Sequence, residues 1–494
     1  MLEKKDAPAQ SQAMRRLANI LLLFSLALAA PARDDSAAAL QAAGEFTAAT
    51  AAWTKALRDG NLTQPQREEA ERQIDWMARV RLDYSLSRAA LGERISKAVR
   101  DVTPEELDRW IAAGWFDKMK IDGADEFVGV SVSNLFYRHP ELAARRLNAK
   151  SSVAEQKGRL EMARAITRAA RAAGSPYVLP HHFQCTMTVT AKPDAAAPGA
   201  LVRAWLPIPR AYPFQNEFKM EQCSPAPKEI EPEDSPIRSV YLEELAAPDQ
   251  PTTFRIAYDY TAWGVHFELD PAKAQAPDLH DPALKKFTLE APHVVFTDKI
   301  LSLAHDLAGG STNPLTRARS AYEWIAHNVK YSFAREYSTL TNISDYCLSH
   351  GYGDCGQEAL LFITLCRAQG IPARWQTGWN IFPGAKDIHD WTEIYVAPYG
   401  WMPVDPWAGI FATQECDALT PGERAEVRDF YFGGLDYDRM IANCDHDQTL
   451  HPRKTSARSD DVDFQRGELE SGGRNIYFDK YTYDLQVHEL NEAR

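Results

Sequence analysis

Apolar and polar residues alternate along two stretches between residues 177 and 268. The apolar positions are Phe183, Cys185, Met187 and Val189 in the first stretch, and Phe254, Ile256, Tyr258 and Tyr260 in the second. A period of two residues is typical of β-strands that bury one face. Proline-rich segments, "LPIPRAYPF" and "CSPAPKEIEPEDSP", lie between the two stretches. The pattern therefore predicts a small antiparallel β-sandwich over residues 177–270.

Residues 33–176 carry a helical pattern instead. In "TPEELDRWIAAGWF", Thr103 can cap a helix that has Pro104 at its first position. The following "KIDGADEF" predicts a tight hairpin that turns at Asp122-Gly123. A helix followed by such a hairpin resembles a winged helix, which is one route to DNA binding. A helical packing or partner-docking module is the favoured alternative, because the chain is acidic.

After a linker at 271–290, helix and strand signals are mixed. "NPLTRARSAYEWIAHNVKY" predicts a helix that begins after Asn313. In "GDCGQEALLFITLCRAQGIPAR", Asp354 can cap a second helix, which runs from Cys355 to about Ala368. Three strand-like pieces follow, "ARWQTGWNIF", "HDWTEIYVA" and "GWMPVDPWAG". Residues 291–420 are thus predicted to be an α+β domain, in which a helix packs on an antiparallel sheet.

The tail, residues 421–494, also carries strand signals. It contains "VRDFYFGGLDYDRM" and "NIYFDKYTYDLQV", in which apolar and polar residues alternate. We expect these C-terminal strands to complete the sheet of the α+β core.

Near the N-terminus, "MRRLANILLLFSLALAAPA" combines two arginines, an apolar stretch and a small-residue cleavage site. This is the pattern of a secretory signal peptide, which we assign to residues 1–32. The alternative is an uncleaved signal that anchors the chain. No other stretch of the sequence approaches the roughly 20 apolar residues that span a bilayer. The protein is therefore expected to be exported, to the periplasm or the extracellular space.

The chain is long and acidic. Its 494 residues, 45% of them hydrophobic, are enough for two or more domains with cores of their own. The formal net charge is −13 at pH 7, and loss of residues 1–32, which carry +2, would leave −15. This charge argues against nucleic acid or an anionic membrane surface as a partner.

Seven cysteines in an exported chain leave at least one thiol without an intramolecular partner. We expect Cys355 to be the unpaired thiol. Six remaining cysteines allow 15 complete pairings. Among these, we expect Cys185 to pair with Cys223 and Cys416 to pair with Cys444.

Cys355 has the position of a nucleophile. It begins a helix after a glycine-containing turn, where the helix dipole and the free backbone N–H groups stabilise a thiolate and lower the thiol pKa. A catalytic thiol also needs a base and a group that orients the base. His389 begins the second predicted strand and Asp405 ends the third. The turn "APYG" folds these strands into a hairpin, so antiparallel pairing brings His389 and Asp405 close together.

Taken together, "GDCGQEALLFITLCRAQGIPAR", "HDWTEIYV" and "GWMPVDP" resemble the transglutaminase-like core, whose Cys–His–Asp arrangement is similar to that of papain-like cysteine proteases. The resemblance covers roughly residues 295–410, and the predicted β-sandwich resembles the domain that precedes this core in exported bacterial members. It implies that Cys355 is the nucleophile, that His389 is the general base and then acid, and that Asp405 orients His389.

The resemblance also implies an activity, a thiol-dependent enzyme that acts on an amide or peptide bond of a peptide or protein substrate. Hydrolysis, as in a peptidase or amidase, is favoured over glutamine transglutaminase activity, because water is the abundant acceptor outside the cell. A non-catalytic periplasmic protein that binds or assembles peptides is the third possibility. No cofactor and no metal are expected, since "CDHDQ" and "DDVD" in the tail lack EF-hand or zinc spacing.

Some neighbours of these residues have open roles. Tyr346, Tyr352 and Gln357 are candidates for the second oxyanion donor. Asp390 and Glu393 flank the base, and we expect them to be charges on the surface of the strand. Four tryptophans could line the cleft, although aromatic residues on strands are more often core residues: Trp375, Trp379, Trp391 and Trp401.

Overall fold

The computed structural model describes residues 36–147 and 153–490, so the predicted signal peptide lies outside the described residues. The N-terminal part is mainly helical. Its helices are α1 (Ala37–Ala42), α2 (Phe46–Asp59), α3 (Gln64–Asp83), α4 (Arg88–Ala98), α5 (Pro104–Ala112), α6 (Ser131–Arg138) and α7 (Val153–Ala173). Three short strands, β1 (Leu86–Ser87), β2 (Lys118–Ile121) and β3 (Ala124–Phe127), form a small sheet. The β2–β3 hairpin turns at Asp122 and Gly123, as predicted, and both residues have positive φ.

The next region is made of strands. They are β4 (Tyr177–Ala191), β5 (Leu201–Pro207), β6 (Gln215–Ser224), β7 (Glu229–Ile230), β8 (Ser239–Leu245) and β9 (Thr252–His266). The alternating apolar residues of β4 and β9, such as Met187 and Ile256, are fully buried. Their burial against β5 and β8 explains the period of two in the sequence.

The remaining elements follow in chain order. The helices are α8 (Pro282–Lys285), α9 (Asp298–Ala308), α10 (Pro314–Asn328), α11 (Ile343–His350), α12 (Cys355–Ala368), α13 (Pro406–Ile410) and α14 (Pro421–Phe430). The strands are β10 (Lys330–Tyr331), β11 (Tyr352–Gly353), β12 (Ala373–Asn380), β13 (Asp387–Val396), β14 (Gly400–Val404), β15 (Gly434–Leu435), β16 (Arg439–Asn443), β17 (Glu468–Ser471), β18 (Arg474–Ile476) and β19 (Tyr481–Leu490).

The core sheet has the order β14-β13-β12-β16, and every neighbouring pair is antiparallel. Helix α12 packs on one face of this sheet and shares a hydrophobic cluster with Ile394 and Val396 of β13. The helix begins at Cys355, because the Asp354 side chain accepts the backbone N–H of Gln357 and caps it. The predicted α+β fold, a helix on an antiparallel sheet, is confirmed.

The C-terminal strands do not all join the core sheet, which differs from the expectation for residues 421–494. Strand β16 pairs with β12 in the core, but β17 pairs with β5 and β19 pairs with β4. The tail therefore completes both five-stranded sheets of the sandwich. Ten residues of β19 pair along the long strand β4, whereas the core edge strand β14 has only five residues.

All seven cysteines are described, and each is a free thiol. Cys185 on β4 lies opposite Tyr258, and Cys223 on β6 lies opposite Ile256, so strand β9 separates the two cysteines. Two strand spacings amount to about 10 Å, which exceeds the roughly 7 Å between Cα atoms that a disulfide can span. Cys416 and Cys444 belong to different hydrophobic clusters. Both predicted pairings are therefore wrong.

The helical N-terminal region packs directly on the segment that precedes α12. The indole N–H of Trp76 donates to the carbonyl of Thr339 at 3.2 Å. Asn134 donates to the carbonyl of Phe333 and accepts its backbone N–H, at 2.9 and 2.8 Å. The helical region therefore packs directly against the core.

Within the described ranges, no helix is long and apolar enough to cross a membrane.

Candidate active site

Strand pairing brings His389 and Asp405 together. Thr392 on β13 lies opposite Val404 on β14, and Asp405 follows β14 directly. The Nε2 atom of His389 is 2.9 Å from Oδ2 of Asp405, and both side chains are buried. The other carboxylate oxygen of Asp405 accepts the backbone N–H of Ala408 and so caps α13. With Nε2 engaged, Nδ1 is the ring nitrogen left to face a thiol or a substrate.

Arg439 on β16 extends this pair into an ion network. Its Nη2 atom is 3.0 Å from Oδ2 of Asp405 and 3.0 Å from Oδ2 of Asp436. Burial favours the neutral form of Asp405, but the positive charges of His389 and Arg439 outweigh it and hold the pKa of Asp405 at about 2. Burial lowers the pKa of His389, although Asp405 opposes this effect. The imidazole is therefore neutral near pH 7 and able to accept a proton.

Cys355 begins α12 beside strand β13 and is half-buried. Its thiol donates a hydrogen bond to Oδ2 of Asp390, with Sγ and Oδ2 3.7 Å apart. Consecutive strand residues point to opposite faces, so Asp390 and the ring of His389 lie on opposite sides of β13. In the described part of the chain, the hydrogen-bond partner of the thiol is thus Asp390 rather than His389. The structure joins His389 to Asp405, and it places Cys355 against the residue next to His389.

The start of α12 does not lower the thiol pKa, contrary to expectation. Burial raises the pKa of Cys355 well above its ordinary value, and the charges of Asp390 and Asp354 raise it further, whereas the backbone N–H of Asp390 acts in the opposite direction. After burial and Asp390, the cap also contributes to this raised pKa. The Asp354 carboxylate takes the N–H of Gln357 and brings negative charge to the helix terminus, where it opposes the dipole.

Asp390 and Glu393 are not charges on the strand surface, so this expectation is wrong. Asp390 is 2% exposed, and its Oδ1 accepts a hydrogen bond of 2.6 Å from the amide of Gln465. Glu393 is buried on the opposite face, where it pairs with Arg374 at 2.6 Å. Both positions lie inside the sheet, because α12 covers one face and the sandwich side of the molecule covers the other. The sequence contained one signal, since Asp390 shares its strand face with Ile394 and Val396.

Of the candidate oxyanion donors, Tyr352 is engaged elsewhere and Gln357 is not. The hydroxyl of Tyr352 donates to Asp117 in the helical region, so it is not an oxyanion donor in this structure. The side-chain amide nitrogen of Gln357 is buried without a hydrogen-bond partner. Three of the four tryptophans, Trp375, Trp379 and Trp391, are buried core residues, and the ring of Trp391 stacks beside His389.

A residue that sequence reasoning missed, Trp407, also contacts the base. Its ring centroid is 4.9 Å from that of His389 in an edge-to-face arrangement. Arg159, from helix α7, lies over Trp407 with its guanidinium carbon 5.3 Å from the ring centroid. The helical region therefore covers the His389 side of the sheet.

Among residues 36–147 and 153–490, no group of three or more His, Cys, Asp or Glu side chains could hold a metal ion.

Comparison with known proteins finds one family model that matches part of the core. Residues 301–406 match the family model of the transglutaminase-like superfamily. An uncharacterized protein of Haemophilus influenzae is 22% identical over 236 residues, which cover 42% of this chain and 63% of that protein. The chain thus spans less than two thirds of the length of this relative.

Two crystal structures show a weaker similarity. One, from Cytophaga hutchinsonii, is described as a "Putative Cysteine Protease"; it is 16% identical, with 64% of this chain and 93% of that chain covered and a TM-score of 0.42. The other, the periplasmic domain of TgpA from Pseudomonas aeruginosa, is 15% identical, with 47% and 98% covered and a TM-score of 0.26. Both scores are below 0.5, so these two likenesses carry no argument. The matched family model spans Cys355, His389 and Asp405, so these three residues lie in the part of the chain that is similar to the transglutaminase-like superfamily.

Proposed function

We propose that this protein is a thiol-dependent hydrolase, a peptidase or amidase, in which Cys355, His389 and Asp405 act together. The observation that carries the proposal is the buried contact of 2.9 Å between Nε2 of His389 and Asp405, on the strand whose next residue, Asp390, accepts the thiol of Cys355. This contact fixes the imidazole tautomer and orientation, which is the task of the third member of a triad. The superfamily of residues 301–406 is consistent with such chemistry.

The proposed reaction requires Sγ to leave Asp390 and come within reach of Nδ1 of His389, which then takes the thiol proton while the sulfur forms a bond to the carbonyl carbon of the substrate. The electron pair of the C=O π bond moves to oxygen. Collapse of the tetrahedral intermediate breaks the C–N bond, and the imidazolium gives its proton to the departing amine. Water, deprotonated by His389, then attacks the thioester and releases the acid, and the sulfur regains a proton. Asp405 stays ionised throughout and stabilises the imidazolium.

Transfer to a second amine instead of water would require a site that binds the amine and excludes water. Export remains part of the proposal and rests on the leader sequence, with action on peptides or proteins in the periplasm or outside the cell. The seven free thiols give export no added support.

The test is turnover of peptide and glutamine-amide libraries by the purified protein, with and without the primary amine cadaverine. We expect free acid as the main product, and we expect Cys355→Ala to abolish it while circular dichroism shows an intact fold. Cadaverine that enters the product faster than free acid forms would instead identify an amine transferase. Peptide binding without any turnover, equal in wild type and Cys355→Ala, would identify a non-catalytic binding protein.

A further inference from the structure

Asp390 is a buried carboxyl group aimed at the proposed nucleophile. One oxygen, Oδ2, accepts the thiol of Cys355 at 3.7 Å, and the other accepts the amide of Gln465 at 2.6 Å. Gly356 makes this approach possible. A Cβ atom at position 356 would lie 2.8 Å from Oδ2 of Asp390 and 2.2 Å from the hydroxyl of Tyr337. Glycine at position 356 is therefore needed for the carboxyl group of Asp390 to approach the start of α12.

The surroundings of this contact are acidic. In the described part of the chain, Asp390 forms no ion pair with a lysine or arginine. The titratable groups that face Cys355 or Asp390 are Asp354 and Glu358 at α12, Tyr331 on β10, Tyr337 in the turn before α11, and Asp460 and Asp463 in the tail. Arg466, which pairs with Asp463, is shared between Glu336 at 2.9 Å and Asp463 at 3.9 Å. This environment opposes a second negative charge on the sulfur.

We propose that Asp390 holds Cys355 as a protonated thiol in the resting protein, so that the sulfur is not nucleophilic while it stays in contact with Asp390. This inference rests on the proposed function and adds a positioning residue to it. A hydrogen bond from the thiol to an acceptor stabilises the protonated form, since a thiolate has no proton to donate. Burial raises the pKa of Asp390 itself, which is consistent with its lack of a cationic partner.

The consequence concerns when the proton moves. In a preformed ion pair, the thiol proton already rests on the imidazole before substrate arrives. Here it stays on Sγ, directed at Oδ2 of Asp390, and leaves only when the contact with Asp390 breaks and the S–C bond forms. The carboxyl group of Asp390 neither gains nor loses a proton in this step. The resting thiol is thereby protected from oxidation and alkylation, because the thiolate is the reactive form.

The test measures the alkylation rate of Cys355 by iodoacetamide between pH 5.5 and 10 on the full-length protein, with mass spectrometry of the peptide that contains residue 355. We expect the rate to rise with a midpoint above that of N-acetylcysteine, whose thiol has a pKa of about 8.5. In Asp390→Asn, the midpoint should fall by at least about one pH unit, so that alkylation at pH 7 becomes about ten-fold faster.

Asp387→Asn is the matched control, because Asp387 carries the same charge on the same strand but is exposed. Its midpoint should equal that of the wild type. A wild-type midpoint at or below 8.5 would overturn the proposal without use of any variant, and so would an Asp390→Asn protein that is folded and keeps the wild-type midpoint. The measurement needs no substrate, so the absence of turnover would contradict the proposed hydrolase and leave the protonated resting thiol standing.

Discussion

On one side of β13, His389 lies among buried charges that balance one another; on the other side, Asp390 lies among carboxyl groups. Asp405 and Asp436 share Arg439 on the first side, and both have a lowered pKa. On the second side, burial raises the pKa of Asp354 to about 6 and that of Asp390 well above its ordinary range. Adjacent residues of one strand thus have opposite protonation preferences, because Arg439 neutralises the carboxylates on the His389 side whereas Asp390 has no such ion pair in the described part of the chain.

This difference assigns the two sides different tasks. A fixed carboxylate beside a neutral imidazole is ready to accept and stabilise a proton. A thiol that is buried among carboxyl groups and donates to one of them keeps its proton. The strand therefore separates the proton acceptor from the resting position of the nucleophile, and four substitutions test how independent the two sides are.

The largest effect is expected for His389→Ala. Loss of the base should lower kcat/KM for any peptide substrate by at least about 10³-fold, because general-base catalysis and the oriented imidazole are both lost. Initial rates on the best library substrate measure it, with Asp387→Asn as the control that retains wild-type turnover. A His389→Ala protein that keeps more than a tenth of the activity would contradict the role of this side.

Arg439→Met should have the largest effect on stability. It leaves Asp405 and Asp436 buried without their shared cation, which costs about 3–5 kcal/mol in the free energy of unfolding. Urea denaturation at pH 7 measures this. A loss below about 1 kcal/mol would show that the network on the His389 side contributes little to the fold.

Asp354→Asn tests the opposite side through pH. A folded-state pKa of about 6 exceeds that of the unfolded chain, so the stability that Asp354 contributes is present below about pH 4 and is lost as pH rises through 6. Asparagine keeps the helix cap but cannot ionise. Relative to wild type, the variant should therefore gain about 2 kcal/mol between pH 4 and pH 8 in urea denaturation. Parallel pH profiles for the two proteins would refute the raised pKa.

The smallest effect is expected for Arg164→Met, which gives the lower bound for an ion pair in this protein. Arg164 lies on α7 and its side chain is 39% exposed, with Glu426 at 2.7 Å. An exposed pair of this kind contributes about 0–1 kcal/mol. On the same helix, Arg159 is 1% exposed and lies near Asp436 at 4.0 Å. If Arg164→Met and Arg159→Met lowered the free energy of unfolding by similar amounts, the expected difference between buried and exposed ion pairs would be wrong.

Local sequence patterns predict helix α12 and the hairpin that positions His389. The cap at Asp354 and the apolar run after it define α12 from Cys355 to Ala368, and the hairpin spacing brings His389 to Asp405. These features depend on neighbours in sequence or on one tight turn, so propensity and periodicity suffice to predict them.

Only the tertiary structure decided the rest, because it depends on contacts between distant segments. Gln465 donates to Asp390 from 75 residues away in the sequence, and Arg439 contacts Asp405 from β16, the tail strand that joins the core sheet. Strand β19 pairs with the long strand β4 of the sandwich, although the alternation alone had suggested that β19 joins the core sheet. The sequence determined that Cys355 begins a helix beside a His–Asp pair. Burial among carboxyls, which no local pattern encodes, determined that its thiol faces Asp390.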